Sequence, residues 1–346
     1  MKSFFLLFSI VVLISCGHKT TTEEQIIFDR IAFTYNLKSA VNKTIWKDFD
    51  LDKFDVPLIY YTSSNCYIAN PTQRFLDCVK SDPVFENGDI RIYKTRTILD
   101  SIPFHMEVAL TLGNSTPDYN YKSPFMNCSS LEITRKRIPQ VHSTEQWATM
   151  VLHEYFHGFQ QRHINYLNVY EKYMRIPEDS LKKIYKDNAW FKESIIKEND
   201  LLLKALNCKD DLETKKWMAE FFSLRKERRW NVKQTLNVDI ESVEKIYETM
   251  EGTARYIEYE LYKIFSEGKP ETALAKSDTA FHSYTYYKNY KMEKDAWLYQ
   301  SGSSSYFYAS GFNVCRLLDK LKIEYKPRLF NEGETSLEQL LQEKMN

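Results

Sequence analysis

Two histidines four residues apart lie within one predicted helix, and this helix constrains the fold more than any other feature. Ser143 is followed three residues later by Gln146, a capping box that predicts the start of a helix. Residues four apart project from the same helix face, so His153 and His157 are expected to point to one place inside the protein. The helix also has an apolar face that favours burial, made of Trp147, Met150, Val151, Phe156 and Phe159.

The segment His153-Glu154-Tyr155-Phe156-His157 has the His-Glu-x-x-His spacing that places two imidazoles on one metal ion. Glu154 follows the first ligand directly, where a carboxylate can accept a proton from an attacking water. Zn²⁺ suits such a site because it takes nitrogen and oxygen ligands and keeps a position open for water. We therefore expect one Zn²⁺ per chain, held by His153 and His157, with Glu154 as general base.

A catalytic zinc needs a third protein ligand, and Glu251 is the first of two candidates. It lies in a predicted helix over 240–267, about 80° from the centre of the apolar stripe, where a side chain can turn inward. The neighbouring Gly252 and Ala254 allow a second helix or a ligand to approach closely. Arg255, one turn after Glu251, is expected to orient that carboxylate.

Three further glutamates lie on the same predicted helix. Glu258 shares the shoulder of Glu251, whereas Glu244 and Glu248 lie further round and are expected to face water.

His163 is the second candidate for the third ligand. Together with His153 and His157 it has the ligand spacing of metzincins, but Gln160 stands where metzincins have the glycine that ends the helix. In a continuing helix, His163 would lie about 15 Å along the axis from His153. We therefore favour Glu251.

The chain resembles gluzincin-type zinc peptidases of the zincin superfamily over roughly 143–163 and 243–262, through the His-Glu-x-x-His helix and a later Glu251-Gly252-Thr253-Ala254-Arg255-Tyr256. It is also similar to bacterial His-Glu-x-x-His lipoproteins with a later Tyr-x-x-Gly segment, here Tyr308-Ala309-Ser310-Gly311. The resemblance implies a zincin-like fold, zinc on His153, His157 and Glu251, and peptide hydrolysis. The Gly-x-Met-Glu-Asn signature of gluzincin aminopeptidases is absent.

The same resemblance implies two further roles. Tyr308 would hydrogen-bond the oxyanion, with Tyr306, Tyr256 and Tyr299 as alternatives. In zincins the strand before the metal helix commonly pairs with an extended substrate, and residues 129–137 occupy that place.

The N-terminus predicts export and a lipid anchor. Lys2, a short apolar run over 4–14 and Leu13-Ile14-Ser15-Cys16 are typical of a lipoprotein signal peptide, with an ordinary signal peptide as the alternative. Residues 1–15 would be the leader and 16–24 a tether that is lipidated at Cys16. We therefore expect a protein of the bacterial cell envelope, bound to a membrane through this lipid at the outer membrane, on its periplasmic or surface face.

Hydrophobic patterning predicts an α+β fold with a small mixed or antiparallel sheet in 25–142 and a mainly helical zinc-site subdomain in 143–346. Strands are expected at 56–61, 91–98, 104–112 and 131–137. Helices are expected at 22–40, 164–174, 178–206, 210–232, 240–267 and 305–322. The Lys- and Glu-rich zone over 170–233 is interpreted as the solvated faces of helices.

Charge and cysteine content limit the partners. The chain has 47 basic and 47 acidic residues, so nothing predicts a nucleic-acid partner. Besides Cys16, five cysteines remain, an odd number, and we interpret them mainly as small buried residues.

A peptide or protein substrate is the leading expectation. The alternatives are a zinc hydrolase of non-peptide substrates and a catalytically degenerate zincin-fold lipoprotein that acts as a binding or assembly factor. The presence of Glu154 argues against the degenerate form.

Overall fold

The structure is a computed structural model that describes residues 22–51, 56–96, 98–109, 124–173, 176–268, 272–282, 284–289 and 303–345. The predicted leader, Cys16 and Tyr299 lie outside these ranges. Within them, no helix is both long and apolar enough to cross a bilayer.

Six short strands form one mixed sheet in the N-terminal half. They are β1 (Leu58–Tyr61), β2 (Cys66–Ala69), β3 (Ser81–Asn87), β4 (Ile90–Thr95), β5 (Met106–Ala109) and β6 (Phe125–Ser129). Their order across the sheet is β3-β4-β2-β1-β6-β5. Only β1 and β6 run parallel, and the other neighbouring pairs are antiparallel. Strand β5 therefore forms one edge, while β6 is paired on both sides.

Helices surround the sheet and make up almost all of the C-terminal half. They are α1 (Thr22–Thr44), α2 (Gln73–Cys78), α3 (Leu131–Arg137), α4 (Thr144–Gln161), α5 (Ile164–Tyr173), α6 (Glu178–Asp187), α7 (Ala189–Asn207), α8 (Asp211–Leu236), α9 (Glu241–Glu267), α10 (Thr272–Ser277), α11 (Tyr306–Lys320), α12 (Lys326–Leu329) and α13 (Leu337–Glu343). A short 3₁₀ helix covers Tyr284–Tyr287. The predicted α+β class, with the sheet first and the helices after it, is confirmed.

Helix α4 begins where the capping box predicts. The side chain of Ser143 accepts a hydrogen bond from the Gln146 N–H (3.2 Å), and the Gln146 side chain accepts from the N–H of His142 (2.7 Å). The indole N–H of Trp147 donates to the carbonyl of Ser129 (2.9 Å), which fixes the helix to β6. One hydrophobic core runs through α1, the sheet, α4, α9 and α11, so the two predicted subdomains share it.

The predicted strand over 131–137 is wrong, because this segment is helix α3. Ser130 lies just after β6, and its side chain accepts a hydrogen bond from the N–H of Ile133, which caps a helix. The β-branched Ile133 and Thr134 favour a strand, but this local cap decides the conformation. Strands β2, β3 and β6 lie outside all the predicted strands.

The single helix predicted over 178–206 is also wrong, since it is divided at Asn188. This residue is extended (φ −125°, ψ 101°), and its side-chain amide donates to the carbonyl of Ile184 (2.9 Å). An asparagine side chain that bonds a carbonyl of the preceding helical turn competes with helix continuation.

Four acidic and three basic side chains form a buried ionic cluster among the C-terminal helices. Its members, none more than 8% exposed, are Glu198, Arg225, Arg228, Arg229, Glu244, Glu248 and Glu338. Arg225 donates to both oxygens of Glu248 (2.7 Å each), and Arg228 donates to Glu244 (2.7 Å). The expectation that Glu244 and Glu248 face water is therefore wrong, as is a fully solvated 170–233 zone. Helix α9 is enclosed by other helices, which its own periodicity cannot reveal.

The cysteines agree with the prediction in part. Cys66, Cys128 and Cys315 are buried, Cys78 and Cys208 are half-buried, and all five are free thiols.

Candidate metal centre

The facing sides of α4 and α9 bring His153, His157 and Glu251 together. The Nε2 atoms of the two histidines each lie 3.3 Å from the same oxygen, Oε2 of Glu251. All three side chains are at most 7% exposed, and their ligand atoms lie within 4.8 Å of one another.

These donors fit a zinc ion. A tetrahedral ion with bonds of about 2.1 Å holds its ligand atoms about 3.4 Å apart, close to the two nitrogen–oxygen distances found here. Two imidazole nitrogens and one carboxylate oxygen are also a donor set that catalytic zinc uses in proteins. His163 belongs to a different environment: its Nδ1 lies 2.8 Å from the carbonyl of Phe159, and its ring packs on Phe330.

Each histidine is oriented by a hydrogen-bond partner at Nδ1, the ring nitrogen that does not face Glu251. The Nδ1 of His153 lies 2.5 Å from Oε1 of Glu258, which can only accept when ionised, so Nδ1 carries the proton. The Nδ1 of His157 lies 2.9 Å from Oε1 of Gln160. The Gln160 amide group donates to the Met250 carbonyl and the Thr253 hydroxyl, which directs its oxygen to the imidazole. With the proton on Nδ1, a neutral imidazole leaves its Nε2 lone pair for a metal ion, and both Nε2 atoms lie beside Oε2 of Glu251.

Arg255 supports this arrangement through Glu258. We expected it to orient Glu251, and its guanidinium donates to Glu258 (3.1 and 3.2 Å), the carboxylate that binds His153.

The charges of the site favour a cation. Burial disfavours ionisation of Glu251, but the facing imidazoles of His157 and His153 hold its pKa well below the usual value. Burial lowers the pKa of His153, but Glu258 and Glu251 raise it to about 9. Burial raises the pKa of Glu154 above its usual value. Glu154, Glu251 and Glu258 thus place three carboxyl groups around two imidazoles, a setting that attracts a divalent ion.

Glu154 and Tyr308 line a cavity of about 350 Å³ beside the histidines. The ring of Tyr308 stacks on that of His153, with centroids 6.0 Å apart and an interplanar angle of 16°. Burial and the negative charge of Glu251 raise the pKa of Tyr308 well above its usual value. Of the alternative tyrosines, Tyr306 donates to Glu244 and Tyr256 donates to Asp319 (2.5 Å).

Tyr308 reaches the site because α9 and α11 cross at two glycines. A Cβ added to Gly252 would lie 2.4 Å from the Cα of Gly311, and one added to Gly311 would lie 2.1 Å from the carbonyl oxygen of Glu248. Neither position has room for a side chain. Of the two partners predicted to approach Gly252 closely, a helix or a ligand, the structure shows a helix, α11.

Sequence reasoning missed the roles of Glu258 and Gln160. A signal for each was present: Glu258 lies two helical turns after Glu251 on the same shoulder, and Gln160 lies one turn after His157. Polar residues at such spacings from metal ligands are candidates for their hydrogen-bond partners.

Comparisons with known proteins give no relative. No protein-family model matches the chain, and no curated protein or solved structure is significantly similar to it.

Proposed function

We propose that the chain is a zinc-dependent metallopeptidase of the gluzincin type with a zincin-like fold, anchored in the bacterial envelope by lipid on Cys16. The observation that supports it best is the meeting of His153 and His157 of α4 with Glu251 of α9, 98 residues after His153, next to a cavity lined by Glu154. Glu251 supplies the third ligand that the His-Glu-x-x-His motif requires.

His153, His157 and Glu251 would hold Zn²⁺, which when bound lowers the pKa of water and polarises a carbonyl oxygen. Glu154 accepts the proton of the attacking water and passes it to the leaving nitrogen. Burial raises the pKa of Glu154 toward neutral pH, where a carboxyl group both accepts and donates a proton efficiently. Tyr308 donates a hydrogen bond to the oxyanion that develops from the carbonyl.

The substrate would lie along β5. Strand β6, which ends at Ser129, is paired with β1 and β5 and leaves no edge for another chain. Strand β5 pairs only with β6 among the described residues, and its first residue, Met106, lines the cavity with Glu154. An extended peptide added to this edge gains main-chain hydrogen bonds whatever its side chains.

Zinc content and peptide hydrolysis, measured together, test the function. Glu154→Gln is expected to keep one zinc per chain and to lose activity by a factor of a hundred or more, because the proton acceptor is removed. Glu251→Ala is expected to lose most of its zinc. His163→Ala is the matched control and should retain both metal and activity. Normal cleavage by Glu154→Gln contradicts the mechanism, and an inactive wild type that holds zinc favours a binding factor.

The lipid anchor has its own test. Wild-type protein expressed in bacteria with radioactive palmitate is expected to carry label and to sediment with membranes, and Cys16→Ser to lose both properties. Label that persists in Cys16→Ser contradicts the assignment.

A further inference from the structure

A second cavity, of about 760 Å³, lies beside the one that contains Glu154. Phe104 lines both cavities. They also meet along the chain, since Arg137 lines the second cavity and the next residue, Ile138, lines the first. The second cavity therefore extends the first along the N-terminal end of β5.

The walls of this second cavity are partly apolar and exposed. Ile98 is 44% exposed and Ile102 is 54% exposed, and both line it together with Ile133. Exposed large apolar side chains grouped in a concavity favour contact with an apolar ligand group.

The rim carries positive charge that has no ionic partner among the described residues. Lys136 and Arg137, in the last turn of α3, are exposed, and neither forms an ion pair with any residue in the described ranges. The acidic residue of the wall, Asp100, is already matched: Nε2 of His105 lies 2.9 Å away, and the Tyr61 hydroxyl donates to it (3.3 Å). Cations also stabilise the end of a helix, but that effect does not require them to line a cavity.

The wall is held in shape by His105. Its ring stacks on Tyr61 with centroids 4.0 Å apart, and its Nδ1 lies 3.0 Å from Glu107 of β5. Burial opposes protonation of His105, but Glu107 and Asp100 raise its pKa above the usual value. A site fixed before binding loses less entropy when a ligand enters.

We propose that this cavity, the basic subsite, binds the portion of the substrate peptide that follows the scissile bond, and that it selects an apolar residue followed by a carboxylate. The inference rests on the proposed function. A peptide antiparallel to β5 runs toward the N-terminal end of that strand, so its C-terminal portion passes Phe104 into the basic subsite. Its apolar side chain packs on Ile98 and Ile102, and its carboxylate faces Lys136 and Arg137.

Two fluorescein-labelled decapeptides test this. They are identical except that an apolar residue is followed by Glu-Glu in one and by Lys-Lys in the other. Binding is measured by fluorescence polarisation on zinc-loaded Glu154→Gln, which leaves the peptide intact, and cleavage is measured on wild type. The same measurements are made on both proteins with the additional double substitution Lys136→Glu and Arg137→Glu. The matched control adds Lys215→Glu with Lys226→Glu, which makes the same change in net charge at exposed sites on α8.

We expect the Glu-Glu peptide to bind about tenfold more tightly than the Lys-Lys peptide, and the Lys136/Arg137 reversal to abolish or invert this preference. The α8 control should keep it. Ile102→Ser should weaken both peptides equally, which separates the apolar wall from the charged rim. Equal binding of the two peptides, no binding of the acidic one, or a preference that survives the reversal overturns the basic subsite. If both peptides are cleaved equally, the peptidase proposal is supported and the basic subsite is contradicted. If the acidic peptide binds preferentially but is not cleaved, the basic subsite is supported and the peptidase proposal is contradicted.

Discussion

At the scale of single residues, the proposed metal centre would depend on two side chains that do not bind the ion. Glu258 and Gln160 each bind the Nδ1 of one histidine, and this selects the tautomer whose Nε2 faces Glu251. Gln160 occupies the position where a metzincin would end its helix. Helix α4 ends one residue later, at Gln161, so the helix expected to continue to His163 does not reach it, and Gln160 instead bonds the Nδ1 of His157.

We predict that Gln160→Ala weakens zinc binding by about 10- to 100-fold, because His157 loses the partner that fixes its tautomer and orientation. Competition with a chromophoric chelator measures the affinity. Gln161→Ala is the neighbouring control, since the side-chain oxygen of Gln161 has no hydrogen-bond partner among the described residues. Thermal unfolding of the metal-free proteins separates this effect from a general loss of stability. Unchanged affinity in Gln160→Ala would show that the hydrogen bond has no positioning role.

At the scale of elements, the crossing of α9 and α11 sets the distance between Glu251 and Tyr308. Each residue lies within one turn of a crossing glycine: Glu251 precedes Gly252, and Tyr308 lies three residues before Gly311. The atoms that a new Cβ would meet belong to the backbone, so no side-chain rotation can relieve the overlap.

Gly311→Ala is therefore expected to force the two helices apart. We expect a loss of unfolding free energy of about 3 kcal/mol, at the upper end of the overpacking range, together with weaker zinc binding. Gly158→Ala is the control in another buried helix, because its Cβ would meet only the Val56 side chain, at 3.0 Å. Chemical denaturation of both variants measures the difference. A Gly311→Ala protein as stable as Gly158→Ala would contradict the close crossing.

At the scale of the whole molecule, the buried ionic cluster connects α7, α8, α9 and α13 behind the metal centre. Arg225 and Arg229 of α8 both donate to Glu338 of α13 (2.7–3.0 Å). Burial disfavours ionised Glu338, but these guanidinium groups lower its pKa from 4.5 to about 2. Removing one partner from such a cluster leaves buried charge uncompensated.

The cluster should make stability fall in acid. Since the pKa of Glu338 is lower in the folded chain than in the unfolded chain, its stabilisation is present above about pH 4.5 and is lost as the pH falls toward 2. At ~1.4 kcal/mol per pKa unit this amounts to roughly 3 kcal/mol. Glu338→Gln should therefore be less stable than wild type at pH 7, with a gap that closes toward pH 2.

Urea denaturation across pH, with a chelator present throughout, measures this gap. Glu343→Gln is the control on the same helix, because its ion pair with Arg328 is exposed and contributes little. A constant gap between wild type and Glu338→Gln from pH 7 to pH 2 would contradict the linkage.

The sequence by itself determined the α+β class and the capped helix that carries His153, Glu154 and His157. Local signals sufficed for α4, because a cap, an apolar face and the spacing of His153 and His157 all act within one helix. The position of Glu251 at the edge of the buried face of its helix likewise follows from its angle to the apolar stripe. These predictions hold because helix geometry depends on neighbours a few residues apart.

Only the tertiary structure decided which residues meet across the chain. It placed Glu258 at the Nδ1 of His153, stacked Tyr308 on His153 where α9 and α11 cross at two glycines, and enclosed Glu244 and Glu248 among arginines of α8. It also left β5 at the edge of the sheet that the described residues form. Periodicity shows that a face is buried but not which element covers it, and buried Glu244 and Glu248 pair with arginines of another helix, α8.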